Sequence, residues 1–137
     1  MSSVITDSCS LRVSSVLNKN AKEFGKQYMI DTCDDTCWNS DQGSPQWLRV
    51  SFPKCETIEE VHIQFQGGFA GKDCWIEGNI NEEMSRICSF YPEDSNALQI
   101  SFQDYFFHYK KLYLIFNMCI NKYIILFKIM LSMGEKF

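Results

Sequence analysis

Hydrophobic and polar residues alternate with a period of two in three segments, at 47–52 (WLRVSF), 61–66 (VHIQFQ) and 97–102 (ALQISF). Because successive side chains of a β-strand point to opposite faces, this alternation predicts half-buried strands. The residues expected on the inner face of the first two strands are Leu48, Val50, Phe52, Val61, Ile63 and Phe65.

Turn-forming residues separate these segments, in the stretches SDQGSP, QGGFAGK and YPEDSN. Weaker strand patterns occur at 12–17, 74–78 and 86–91. Pro53 has no backbone N–H for a sheet ladder and is expected to end its strand. No long amphipathic helix is readable before residue 103. The pattern therefore predicts an all-β protein, an antiparallel β-sandwich or jelly roll over residues 10–102.

The composition changes after residue 102, so we divide the chain into a β-sandwich at 1–102 and a divergent C-terminal segment at 103–137. The apolar run at 112–131 has about the length of a membrane span. Lys122 near its centre would cost about 2.5–3.5 kcal/mol on insertion, so no transmembrane span is expected. Two alternatives remain: an amphipathic helix, or a partial final strand followed by a tail. In the helix, one polar stripe would carry Lys110, Asn117, Asn121 and Lys128.

The overall charge argues against direct binding to nucleic acid. The chain of 137 residues has a net charge of −4 and no basic stripe, whereas strong DNA or RNA binders usually carry one. Hydrophobic residues make up 45% of the chain and aromatic residues 15%, which is ample for one folded core. The N-terminal residues do not resemble a secretory signal. The seven cysteines are therefore expected to be reduced thiols in the cytosol or nucleus.

One cysteine pair raises the question of a metal site. Cys33 and Cys37 have Asp31, Asp34 and Asp35 beside them. Zinc sites usually need a second pair of ligands at a readable distance, and none follows. We expect a polar loop that enters a strand, with no metal and no cofactor.

The candidate catalytic groups are equally sparse. His62 lies on the polar face of a predicted strand and His108 lies in the C-terminal segment, and both are expected to be exposed. The stretch QGGFAGK lacks the Gly-Lys-Ser/Thr ending of a phosphate-binding loop, and a hairpin loop explains it better. No catalytic residue, small-molecule substrate or enzymatic activity is predicted.

Four stretches together resemble one small family: RVSSVLN, DDTCWNSDQGSPQWLRVSF, HIQFQGGFAGKDCWIEG and FYPEDSNALQ. They are similar to orphan nuclear receptor-associated repressors, which belong to the discoidin (coagulation factor 5/8 type C) group. The resemblance implies a galactose-binding-like β-sandwich without enzymatic activity. It also implies a nuclear protein, with cytoplasmic residence left open, that binds an orphan nuclear receptor. Such a protein lowers transcriptional activation by hindering the receptor's binding to DNA.

The resemblance also indicates roles for individual residues. Trp38 and Trp47 are expected to be structural core residues at a corner that leads into a strand. Partner contacts are expected in edge loops, because a sandwich holds loops in place while they vary. The candidates are Asp41, Gln42, Phe69 and Lys72. Phe69 is either a cap tucked against the sandwich or an exposed anchor for the partner.

Two other functions stay open at this point. One is a carbohydrate-binding or lipid-binding discoidin module, although sugar-binding relatives usually present His and Arg around a pocket. This chain has only Arg12, Arg49 and Arg86, with no cluster in the readable loops. The other is a chain with an incomplete fold and no activity. It arises because the segment after 102 departs from the family's closing strands, and loss of the last strand would open a sheet edge.

Overall fold

Two antiparallel sheets face each other across one core. The computed structural model describes residues 5–6, 8–80, 83–102, 107–117 and 123–132. The strands in these residues are β1 (Ser10–Val13), β2 (Trp38–Asn39), β3 (Gln46–Ile58), β4 (Glu60–Phe65), β5 (Asp73–Ile80), β6 (Glu83–Phe90), β7 (Leu98–Phe102), β8 (Phe107–Asn117) and β9 (Ile125–Ser132). A short helix α1 (Ala21–Phe24) lies between β1 and β2, flanked by 3-10 turns at Leu17–Lys19 and Lys26–Met29. The prediction of an all-β antiparallel sandwich is confirmed.

The sheets have five and four strands, with all pairs antiparallel. The five-stranded sheet has the order β1-β3-β8-β5-β6, and the four-stranded sheet has the order β2-β9-β4-β7. Strand β8 lies between β3 and β5, and β9 lies between β2 and β4. Each of the two strands that come last in the described chain is therefore an interior strand of its own sheet.

The core consists of the inward-facing positions of both sheets. The six residues predicted to face inward in β3 and β4 are at most 3% exposed, which confirms that prediction. Phe116 of β8 lies at the centre of a group of aromatic rings. Its ring centroid is 6.4 Å from that of Trp38, 5.6 Å from that of Phe65 and 6.4 Å from that of Phe90. These tilted and edge-on ring contacts join the two sheets.

Pro53 does not end its strand, contrary to the prediction. Strand β3 continues to Ile58, and its pairing with β8 shifts register between Ser51 and Glu56. Pro53 lies inside this irregular stretch and is exposed. A bulge tolerates proline because the extra residues do not take part in the ladder.

The C-terminal segment contains strands, so its helical interpretation is wrong for the described residues. Strand β8 confirms the alternative of a strand after residue 103, and β9 adds a second one. Asn117 ends β8 and Lys128 lies within β9, while Asn121 and Lys122 lie outside the described residues. No helix in the part of the chain that the structure describes is long and apolar enough to span a membrane.

Lys128 attaches the segment before β2 to the outer side of β9. Its Nζ donates to the carbonyl oxygens of Tyr28 at 2.7 Å and Thr36 at 2.9 Å, and lies 2.8 Å from Oδ1 of Asp31. Oγ1 of Thr36 lies 3.2 Å from the same Nζ, so four oxygen atoms surround an ammonium group that has three N–H donors. Asp31 also accepts hydrogen bonds from the Thr36 hydroxyl and the backbone N–H of Cys33. Burial alone would raise the pKa of Asp31, but these hydrogen bonds and the charge of Lys128 lower it below its ordinary value of 3.8.

The lowered pKa of Asp31 makes stability depend on pH in a defined direction. The ion pair contributes fully above the unfolded-state pKa and is lost as the pH falls through the lower folded-state pKa. We therefore expect Asp31→Asn to be less stable than the parent protein at neutral pH. The difference in unfolding free energy should shrink as the pH falls below the ordinary pKa of 3.8 and through the lower folded-state pKa. Urea titrations at several pH values measure this difference.

Asp34→Asn is the matched control, because Asp34 is exposed in the same loop. It should leave the unfolding free energy nearly unchanged across this pH range. An Asp31→Asn deficit that stays constant down to low pH would contradict the ion-pair account.

Candidate functional site: the loop end of the sandwich

Four interstrand loops meet at one end of the sandwich. Because neighbouring strands run antiparallel, the starts of β3, β5, β7 and β9 lie beside the ends of β2, β4, β6 and β8. The loops between them are 40–45, 66–72 and 91–97, together with the described residues 123–124 before β9. We call this surface the loop end. The 66–72 loop connects one sheet to the other, so the prediction that it forms a hairpin is wrong.

Phe69 holds the 66–72 loop against the residues before β9. Its ring stacks on that of Tyr123, with centroids 5.2 Å apart and planes 17° apart. Its carbonyl oxygen accepts from the N–H of Ile125 at 3.2 Å, and its own N–H donates to the carbonyl of Gln66 at 2.9 Å. The side chain is half-buried. The structure thus places Phe69 as a cap with one part of the ring still accessible.

Hydrogen bonds also join the 66–72 loop to the 91–97 loop. The N–H of Gly67 donates to Oδ1 of Asn96 at 2.6 Å, and the N–H of Gly68 donates to Oδ1 of Asp94 at 2.7 Å. Gly68 has a φ of +89°, a conformation that a residue with a Cβ rarely adopts. Gly67 and Gly68 therefore donate backbone hydrogen bonds to the neighbouring loop. This structural role explains the Gly-rich sequence of the 66–72 loop.

Gln46 organises the 40–45 loop from inside. It is 6% exposed, and its Oε1 accepts from the hydroxyls of Ser14 at 2.5 Å and Ser15 at 2.7 Å. Its Nε2 donates to the carbonyl oxygens of Asp41 at 3.2 Å and Gly43 at 3.1 Å. All four hydrogen-bonding positions of the amide are used, as a buried amide requires. Gln46 has no distinguishing pattern in the sequence, because its partners belong to two segments far apart in the chain.

The loop residues predicted to contact a partner differ in their exposure to solvent. Asp41 is half-buried, and its Oδ1 accepts from the N–H of Asn18 at 3.2 Å. Gln42 and Lys72 are exposed, and the backbone N–H of Lys72 donates to the carbonyl of Asn117 at 2.8 Å. Tyr91 begins the 91–97 loop and is 73% exposed. Such an exposed aromatic at the loop end has no distinguishing pattern in the sequence.

Of the two tryptophans predicted to be structural, Trp38 faces the core between the sheets and Trp47 faces away from it. Trp38 is fully buried, and its Nε1 donates to the carbonyl of Ser15 at 2.9 Å. Trp47 alternates with inward-facing Leu48, so its half-buried ring points outward from the five-stranded sheet. There it makes an edge contact with Tyr113, with centroids 5.4 Å apart.

The charge of the loop end is mildly acidic. The described loops contain one cation, Lys72, and three carboxylates, those of Asp41, Glu93 and Asp94. Within the described ranges, no three His, Cys, Asp or Glu side chains form a group that could hold a metal ion. The carboxylate of Asp31 beside the Cys33–Cys37 pair is committed to Lys128. Burial raises the pKa of the Cys37 thiol, although the charge of Lys128 lowers it, and a protonated thiol is a poor ligand.

His62 is buried, so the expectation of an exposed histidine is wrong. It lies on the outer side of β4 and is only 8% exposed. Its Nε2 is 2.8 Å from Oε2 of Glu60, and its neighbour on β9 is Met130. Glu60 therefore provides a hydrogen-bond partner for one ring nitrogen of this buried histidine.

Comparison of the sequence with known proteins shows the family to which the chain belongs. The chain is 53% identical over 98 residues to "Nuclear receptor 2C2-associated protein" of Danio rerio, a match covering 71% of this chain and 70% of that protein. The protein of the same name from Xenopus laevis is 49% identical over 100 residues, covering 72% of this chain and 74% of that protein. The chain belongs to the nuclear receptor 2C2-associated protein family. No family model matches the sequence.

Solved structures confirm the galactose-binding-like, F5/8 type C fold of this family member. The F5/8 type C domain of a Bacteroides fragilis protein superimposes with a TM-score of 0.76 at 13% identity, covering 95% of this chain and 94% of that chain. The family 32 carbohydrate-binding module of Clostridium perfringens NanJ, in complex with galactose, superimposes with a TM-score of 0.75 at 14% identity. That match covers 90% of this chain and 93% of the module. At these identities the likeness shows the fold alone.

The buried amide of Gln46 yields a stability prediction. Gln46→Met keeps the approximate volume but leaves the hydroxyls and carbonyls around it without their partner. We expect it to lower the unfolding free energy by about 1–3 kcal/mol, measured by urea titration. Gln42→Met is the matched control in the same loop, and should change stability by less than about 0.5 kcal/mol because Gln42 is exposed. Equal effects of the two substitutions would contradict the role assigned to Gln46.

Proposed function

We propose that this protein is a non-enzymatic nuclear binding module that associates with a nuclear receptor and represses its transcriptional activation. The observation that carries the proposal is membership of a family whose curated members are named for association with nuclear receptor 2C2. The proposed mechanism is occupation of a receptor surface, which hinders the receptor's binding to DNA. Residence in the nucleus, with or without a cytoplasmic pool, is part of the proposal.

The loop end supports this function as the receptor-binding surface. Its loops are bonded to one another, so they present side chains from a rigid base, and preorganised loops bind at a lower entropic cost. Tyr91 and the accessible part of Phe69 supply aromatic groups of the kind that dominate interface energies. Gln42 and Lys72 supply exposed polar groups at the rim, and Asp41 positions the 40–45 loop.

The charge of the loop end favours a protein partner over DNA. Its described loops contain three carboxylates and one ammonium group, and the whole chain has a net charge of −4. Repulsion between these carboxylates and phosphates opposes direct contact with a duplex. The proposed repression therefore acts through the receptor.

A carbohydrate-binding module is the second candidate, because a fold neighbour is described in complex with galactose. The loops at 40–45, 66–72, 91–97 and 118–124 contain neither Arg nor His by sequence. The guanidinium and imidazole groups that sugar-binding relatives usually present are thus missing from the sequence of these loops. A glycan array probed with the purified chain separates this function from receptor association.

Substitutions at the loop end test the receptor-binding surface. Tyr91→Ala should weaken co-precipitation of nuclear receptor 2C2 several-fold while leaving the melting temperature unchanged, because the ring is exposed. Phe69→Ala should weaken co-precipitation and also lower stability, by about 0.5–1.5 kcal/mol for the lost ring stacking. Met84→Ala, on β6 away from the loop end, is the control for loss of an exposed apolar side chain. Wild-type co-precipitation by both loop variants would remove the loop end from the proposal.

A gel-shift experiment tests the mechanism separately. Added protein should reduce the amount of receptor bound to its response element, and the protein alone should not shift the duplex at physiological salt. Tight binding of the isolated protein to duplex DNA would contradict repression through the receptor.

A further inference from the structure

The solvent face of the five-stranded sheet brings together all three arginines of the chain. Pairing across the strands aligns Arg12 with Arg49, Arg49 with Tyr113, Tyr113 with Glu77, and Glu77 with Arg86. One continuous row therefore crosses β1, β3, β8, β5 and β6. On β1, β3, β8 and β5 these positions lie next to buried core residues, so their side chains point away from the core. Arg86 shares their face because it pairs directly with Glu77.

Aromatic rings occupy the same face and contact the arginines. The next row aligns Trp47 with Ile115 and Ile115 with Trp75. The guanidinium of Arg86 lies 4.2 Å from the ring centroid of Trp75, within the range of a cation–π interaction. The guanidinium of Arg49 lies 5.9 Å from the centroid of Tyr113, which also contacts Trp47 edge-on. We call these two rows the arginine–aromatic face.

This face is partly exposed in the described part of the structure. Arg12 and Arg86 are exposed, and Trp47, Trp75 and Tyr113 are half-buried. The 3-10 turn Lys26–Met29 contacts β1, the edge strand of this sheet. At that edge, Lys26 lines a cleft of about 240 Å³ together with Arg12, which extends the row of cations.

The charge of the face is opposite to that of the chain. Its two rows carry Arg12, Arg49 and Arg86, and the carboxylate in them is that of Glu77. Three cations and one anion give the two rows a charge of +2, against −4 for the whole chain. Trp, Tyr and Arg side chains grouped at a surface are typical of protein interfaces, where Lys and Glu are depleted.

The positions of the charges define the partner. Glu77 lies between Tyr113 and Arg86 in the row and accepts a hydrogen bond from Nε1 of Trp75 at 2.6 Å. Arg49 and Arg86 are three strand spacings apart, which is about 14 Å. Nε of Arg49 is buried and has no acceptor among the described residues, so a partner carboxylate near this guanidinium would stabilise its charge. A fitting ligand has two acidic groups, one for each guanidinium group, and apolar residues between them for the rings.

We propose that the arginine–aromatic face is a second docking surface, which binds an acidic segment of a partner protein with apolar residues between its acidic groups. This surface is separate from the loop end, and the proposal does not depend on the receptor-binding function. A nucleic acid fits less well, because its continuous phosphates would meet the carboxylate of Glu77 between Arg49 and Arg86.

A defined peptide tests this surface on the full-length chain. The probe is a fluorescent peptide of about ten residues in which two glutamate pairs flank a leucine-rich centre. Arg49→Gln/Arg86→Gln should weaken its binding at least about tenfold, measured by fluorescence anisotropy. Lys19→Gln/Lys22→Gln removes the same charge outside the five-stranded sheet and should leave the binding unchanged. Trp75→Ala should also weaken binding.

A single substitution and a neutral peptide complete the test. If the double variant does not fold, Arg86→Gln alone provides the test, because Arg86 is exposed. A peptide with glutamine in place of each glutamate should bind at least about tenfold more weakly. Equal binding of this neutral peptide, or equal loss in the lysine control, would overturn the proposal. Tighter binding of a single-stranded oligonucleotide that displaces the peptide would assign the face to nucleic acid and overturn it as well.

Discussion

The pairing of β8 and β9 inside their sheets is the interaction on which the rest of the structure depends. Strand β8 pairs with β3 on one side and β5 on the other, while β9 joins β2 to β4. Without β8 the five-stranded sheet would separate into two pairs, and without β9 strand β2 would have no partner. Residues late in the chain thus complete pairings with residues far earlier, which is an arrangement of high contact order.

Both candidate binding surfaces derive from these two strands. The end of β8 and the start of β9 bring Asn117 and Tyr123 to the loop end, where Lys72 and Phe69 contact them. The outward side of β8 places Tyr113 between Arg49 and Glu77. The inward side of the same strand carries Phe116 into the aromatic core. One strand therefore couples the packing of the core to the composition of the surface.

The alternation of hydrophobic and polar residues made β3, β4 and β7 predictable, and it failed for β8 for a physical reason. In β8 the inward residues Leu112 and Leu114 alternate with Tyr113 and Ile115, which are also apolar because they belong to the arginine–aromatic face. A strand that is apolar on both sides loses its period of two and resembles a helix or a membrane segment.

The candidate site was only partly accessible from sequence. The motifs located the loops that meet at one end, but they could not show that Gln46 bonds to Ser14 and Ser15. Nor could they show that three arginines, one from each of three distant segments, form a single row. Such groupings depend on strand order and register, which local sequence does not encode.

Native-state hydrogen exchange tests the central role of β8 and β9 most directly. The account predicts that backbone amides of β8 and β9 exchange only through global unfolding, with the same free energy as the amides of β3 and β4. Amides of the edge strand β6 should exchange through smaller openings. Exchange of β8 or β9 amides through local opening, while β3 and β4 stay protected, would contradict the account.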